Sequence, residues 1–234
     1  MQWFVHLTGD NDLLNDLLSY LTEEVACIKK EDNIYYLYSS FFDGLTESQE
    51  ILRIARKLIF LINGAAKLFL DTNKTIGFDR ISSINTAGIR KNYVFLEGTA
   101  YIETSVKCKL SGIEKKQGDN IITKWVQKGY NDEGINILSE LLDGASSKWS
   151  VLYKRAELVK KYLGGWDKIS AKGWCSKNKL DLFKRTAQDY KAIGVKGARH
   201  IRDYKKLENP MTYPEAKNLI RTINIEWIKE ILGS

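Results

Sequence analysis

Histidine is nearly absent from this chain: His6 and His200 are the only two in 234 residues. Cysteine is almost as scarce, with Cys27, Cys108 and Cys175 far apart and in no CxxC pair. Two imidazoles and three scattered thiols do not supply the ligand set of a structural zinc, so no metal site is expected. An odd, dispersed set of cysteines reads as reduced thiols in a cytoplasm. Two prolines and 17 glycines are too few for a collagen-like or low-complexity chain. Long hydrophobic runs are missing too. The longest is Leu58-Ile59-Phe60-Leu61-Ile62, against about 20 apolar residues for a bilayer crossing, so no membrane partner is expected. Met1-Gln2-Trp3-Phe4-Val5-His6 lacks the basic start and long apolar stretch of a secretory signal, which again points to the cytoplasm. Finally, no GxGxxG follows a strand, and GK[ST], HExxH and GxSxG do not occur. Dinucleotide, P-loop, zincin and serine-hydrolase chemistries therefore lose their usual signatures, and no cofactor is expected.

What is present is uneven charge. The chain carries 36 Lys+Arg against 29 Asp+Glu, a formal +7. Residues 1–120 are net −2, whereas residues 121–234 are net +9. Within the second half, residues 148–206 hold 17 basic and 5 acidic side chains. Such asymmetry points to two modules and to an anionic partner for the second.

The pattern of apolar residues divides at the same place. Residues 2–7 are β-prone, and Leu13, Leu14, Leu17, Leu18 and Leu21 then recur at helical spacing. Residues 25–28 and 34–38 read as a hairpin across Lys29-Lys30-Glu31-Asp32-Asn33. Thr46-Glu47-Ser48-Gln49 has capping-box form ahead of a helical face made by Ile51, Ala55, Leu58, Ile62, Ala65 and Phe69. Residues 76–84 and 93–106 return to β-like composition. The order β-α-β-β-α-β predicts a ferredoxin-like sandwich over residues 1–110. Residues 111–120 are polar and aperiodic, and read as a linker.

From 121 onward the expectation is an all-α basic bundle reaching 234. Helices are predicted over 121–128, 133–142, 149–163 and 176–187. A last helix is announced by Asn209-Pro210-Met211, with Thr212 as cap, Glu215 closing the box and Pro214 in the first turn.

Within the bundle, Gly197-Ala198-Arg199-His200-Ile201-Arg202-Asp203 sets a histidine between two arginines, with Lys205 and Lys206 following. Metal-independent RNA cleavage needs a general base for the 2′-hydroxyl and cations to hold the phosphate as charge builds on it. His200 suits the first role, because an ordinary imidazole titrates near pH 6.5. Arg199 suits the second through its planar fork of donors. Arg202, Lys196, Lys205 and Lys206 are further candidates for phosphate contact. Trp166 and Trp174 flank predicted loops between lysines, where an exposed ring suits base stacking. Arg199 and His200 have a structural reading as well, in which they tie their segment to a neighbour.

The stretch Trp149-Ser150-Val151-Leu152-Tyr153-Lys154-Arg155-Ala156-Glu157, with Ala198-Arg199-His200, Asn209-Pro210-Met211-Thr212, Glu215-Ala216 and Trp227, resembles a pattern in uncharacterised prokaryotic proteins. Over residues 145–232 the helical half is similar to HEPN-type domains, α-bundles of defence and toxin systems. Many of these are RNases that use an Arg and a His in a dimer-lined cleft. The resemblance implies an α+β protein with an HEPN-like bundle, acting as a metal-independent RNase or RNA-binding protein, with Arg199 and His200 at its centre. This chain departs from the motif in one respect: Arg199 and His200 are adjacent, where the family pattern has polar residues between them. The alternative expectation is a non-catalytic protein–protein interaction module, with a homodimer or a protein partner open.

Overall fold

The computed structural model describes residues 1–23, 25–95, 101–107, 120–143, 149–194 and 207–233. They fall into two compact units, Met1–Asn136 and Ile137–Ser234. The chain is α+β: strands occur in the first unit and helices make up the second.

The first unit runs β1 (Gln2–Gly9), α1 (Asn11–Tyr20), β2 (Thr22–Glu23), β3 (Ala26–Glu31), β4 (Ile34–Tyr38), α2 (Ser48–Phe69), β5 (Ile76–Ile84), β6 (Ile89–Phe95), β7 (Tyr101–Lys107) and α3 (Ile121–Gly129). The strands form one sheet in the order β2-β3-β4-β1-β5-β6-β7, with every neighbouring pair antiparallel. Since β4 is antiparallel to both β1 and β3, those two run parallel, joined by α1 with β4 between them. By the same logic α2 joins the parallel pair β4 and β5 across β1. Trp3, Phe4, Val5, His6 and Leu7 are all buried, so the central strand reads as an almost continuous apolar run.

Local chemistry explains where the elements stop. The β3–β4 hairpin is tighter than expected: Lys29, Lys30 and Glu31 belong to the strand, leaving Asp32-Asn33 as the turn. Both turn residues have positive φ, 48° and 65°, as a two-residue hairpin turn of matching twist requires, and Asn and Asp tolerate it. The expected capping box at Thr46 is not formed. α2 starts at Ser48 with Glu47 as an uncapped N-cap, and the Thr46 hydroxyl turns to the Glu47 carboxylate instead. The predicted apolar face of α2 is present, and Leu52, Ile54, Ile59, Leu61 and Leu68 are buried as well. The extra burial arises because α2 packs on both β5 and α3. There the Phe69 and Trp125 rings meet edge to face at 5.8 Å.

α3 thus packs in the first unit, whereas the expected bundle began at 121. Thr123 Oγ1 donates to the Tyr20 carbonyl at the end of α1, and the Phe41 and Tyr130 rings stack at 4.1 Å. An amphipathic stripe specifies that a helix is covered, not by what.

Beyond α4 (Glu133–Asp143), the second unit contains α5 (Trp149–Leu163), α6 (Trp166–Ala171), α7 (Lys177–Gln188), α8 (Tyr190–Ile193) and α9 (Tyr213–Leu232). α9 follows the sequence closely, with Thr212 and Glu215 forming a complete capping box and Pro in the first turn. α5 packs along α9 and also touches α6 and α7. Among the described residues, no helix is long and apolar enough to cross a membrane.

Candidate nucleic-acid interface

The second unit is organised around α5. Its buried side, Leu152, Tyr153, Ala156 and Val159, meets Phe183 of α7 and Trp227, Ile223 and Ile220 of α9 as common core. Aromatic rings connect these helices: Phe183 stacks with Trp149 at 6.2 Å and with Tyr153 at 6.0 Å. The Tyr153 hydroxyl accepts a hydrogen bond from Gln188 Nε2 at 3.0 Å. Two charged side chains lie inside, Arg155 and Asp189. Arg155, buried on α5, donates from Nε to Asn224 Oδ1 on α9 at 2.8 Å, and the Asn224 amide returns a 3.5 Å bond to the Arg155 carbonyl.

This apolar interior leaves the lysines outside. Lys154, Lys161, Lys168, Lys177 and Lys179 are exposed, and none forms a salt bridge among the described residues, although Lys177 acts on Asp181 and Lys179 on Glu215 at longer range. Their few acidic neighbours are engaged in local tasks: Asp181 pairs with Lys184 at 2.6 Å, and buried Asp189 caps α8. The Lys184 ammonium holds the Asp181 carboxyl below the usual range. The result is a helical surface with positive charge in excess.

Trp166 sits in that surface at the start of α6. Its ring is half-buried and tilts against Tyr153 at 5.7 Å. Two ammonium groups approach the same ring, Lys160 Nζ from α5 at 5.8 Å and Lys184 Nζ from α7 at 5.5 Å. Trp174 lies in the turn after α6, half-buried and without a ring partner among the described residues. The adjacent Cys175 is half-buried, and that burial pushes its thiol up. Arg199, His200, Arg202, Lys196, Lys205 and Lys206 lie outside the described residues. Of the predicted site residues, then, the structure describes Trp166 and Trp174, and it adds Lys160 and Lys184 to the first.

A second cluster, invisible to sequence reasoning, lies on the sheet. Phe4 and Ser82 are register partners, as are His6 with Tyr36, Ser82 with Asn92, and Ile84 with Arg90. Paired residues share a face, so these side chains converge. An Arg90 Nη is 2.5 Å from His6 Nε2, and Ser82 Oγ is 2.8 Å from the same nitrogen. Ser82 Oγ is also 2.5 Å from Asn92 Oδ1, so its one hydroxyl proton serves either Nε2 or Oδ1, and Oδ1 takes a 3.2 Å bond from Arg90 Nε. The guanidinium lies over the Phe4 ring at 4.7 Å.

Guanidinium only donates, so Nε2 must offer its lone pair and the His6 ring proton must sit on Nδ1. Nδ1 has no hydrogen-bond partner. Burial first, then the Arg90 and Arg80 charges, lower the His6 pKa to about 4, with Asp79 opposing. Ser82 beside an imidazole has the outline of a nucleophile and base. However, so weak a base takes a serine proton poorly, and at 0% and 4% exposure neither Ser82 nor His6 meets solvent. The cluster joins β1, β5 and β6 as a polar pin.

Among the described residues, no group of three metal-ligating side chains gathers. No protein-family model, curated protein or solved structure matches this chain.

Proposed function

We propose that the helical unit binds RNA through its lysine-rich surface and that the protein works in the cytoplasm. The observation that carries this reading is the set Lys154, Lys161, Lys168, Lys177 and Lys179, exposed and without a salt bridge among the described residues. A polyphosphate chain neutralises such a set and releases its counterions on binding.

The finer reading is a metal-independent, HEPN-like RNase of defence or toxin type. His200 is its general base, and Arg199 and Arg202 hold the phosphate. Support comes from the sequence, where the only histidine of the basic half stands between two arginines. The first unit is then the docking or sensing module. Its strand order β3-β4-β1-β5, with α1 and α2 as the crossovers, supports the ferredoxin-like reading, extended at one edge by β6 and β7.

The test incubates purified protein with structured and single-stranded RNA in EDTA, at low and moderate salt, beside His200→Ala. Cleavage that persists without metal and vanishes in the variant is the expected result. Retention on a gel without cleavage, weakening steeply with salt, leaves an RNA-binding protein and removes the catalytic role of His200. RNA neither bound nor cut overturns the whole reading, in favour of a protein–protein interaction module.

A further inference from the structure

We infer that Trp166, with Lys160 and Lys184, is a base-stacking subsite that makes the helical unit prefer single-stranded nucleic acid over duplex; this rests on the polyanion-binding reading above. The argument starts from electrostatics. Lys160 and Lys184 come from different helices, yet both ammoniums lie within 6 Å of the Trp166 ring centre, at 5.8 and 5.5 Å. Two cations gathered at one ring repel each other. Asp181 answers one of them, at 2.6 Å from Lys184. Lys160 has no carboxylate partner among the described residues.

Trp227 on α9 is buried core at 1% exposure. Trp166 instead remains half-exposed, with Tyr153 tilted behind it as a fixed support. Tyr153 is in turn held by Gln188 Nε2 on its hydroxyl and by the Phe183 ring. The ring behind Trp166 is therefore held by contacts from α7. An aromatic plane flanked by ammoniums matches a nucleotide, whose base stacks and whose phosphates take the cations. In a duplex the base faces are already stacked on one another, so a duplex gains only the phosphate contacts.

The test measures binding of an oligoadenylate and of an RNA duplex of equal length, by fluorescence anisotropy at fixed salt. Proteins compared are the full chain, Trp166→Ala, Trp166→Phe and the pair Lys160→Gln/Lys184→Gln, with thermal melts checking that each is folded. The expected result is a single-strand preference that falls roughly tenfold in Trp166→Ala. Trp166→Phe should keep much of it, because a smaller ring still stacks. The lysine pair should weaken both ligands and reduce the salt slope by about two. Trp166→Phe is the informative variant if Trp166→Ala does not fold. Its tryptophan emission, subtracted from that of the parent, should isolate a component quenched by oligoadenylate. Tight binding of both ligands, without single-strand preference and unchanged by either Trp166 variant, overturns the stacking subsite while leaving polyanion binding intact. No binding of either ligand overturns both.

Discussion

The burial of His6 beside Arg90 makes the first unit sensitive to mild acid, and the size of the effect follows from the shift of its pKa. With Arg90 donating to Nε2 at 2.5 Å, a proton added at that nitrogen would set two donors and two positive charges against each other. Burial first, and then this Arg90 charge, lower the His6 pKa in the folded state from 6.5 to about 4. A group whose folded pKa is depressed binds its proton more readily when unfolded, so falling pH favours unfolding. The loss begins as pH drops through the ordinary imidazole range and is complete near pH 4. The full difference corresponds to about 3 kcal/mol, and roughly 2 kcal/mol of it is lost already at about pH 5. Against a typical domain stability of about 5–15 kcal/mol, that is a measurable fraction. Urea unfolding midpoints at several pH values between about 7.5 and 5 read it directly. His6→Gln is the matched control, because its amide oxygen still accepts from Arg90 but does not titrate. His200 is the only other histidine, so the measurement is made in a His200→Ala background. The His6 protein should lose stability toward pH 5 while the Gln variant stays level over the same range. Parallel curves for the two proteins would refute both the tautomer and the buried contact.

Asn224→Leu removes the side-chain acceptor of buried Arg155 Nε and should cost about 2–3 kcal/mol in urea unfolding. Adding Arg155→Met to it should recover much of the loss, because a buried charge is costly only while its partner is missing. Gly9→Ala places a Cβ 2.7 Å from the Thr75 carbonyl oxygen at φ +130°, so it should lower the midpoint by well over 1 kcal/mol equivalent. Gly173→Ala also has positive φ but meets open space, and about 1 kcal/mol is expected there from the backbone alone.

Periodicity and capping chemistry made some elements readable. α9 is announced by Pro214, Thr212 and Glu215 within four positions, so nothing distant could override it. β5 runs from Ile76 to Ile84, the same bounds its composition gave. α6 was not legible, since six residues between Gly165 and Lys172 carry too little periodicity to stand out. The turn at Asp32-Asn33 looks wider in the sequence because charged Lys29, Lys30 and Glu31 resemble loop, although they are only partly buried or exposed at the end of β3, where the strand tolerates them. Trp166 was visible as an aromatic among lysines, but its approach by Lys184, eighteen positions along, exists only once α6 and α7 pack. The polar pin was hidden more thoroughly. His6 is 76 residues from Ser82 and 84 from Arg90, and only strand register brings such separations into contact.

The sheet is assembled out of order with respect to synthesis. β1 precedes the other strands of its sheet in the chain, yet it ends between β4 and β5. Its last partner, Ile84 opposite Gln2, is made long after it. Until then β1 can pair only with β4, so Trp3, Phe4 and Val5 sit on an edge strand while α1, the β3–β4 hairpin and α2 form locally. Closure of the first unit is therefore a late, cooperative event that waits on β5. A chain stalled before residue 76 would present β1 with one open edge, ready to pair with another copy of itself.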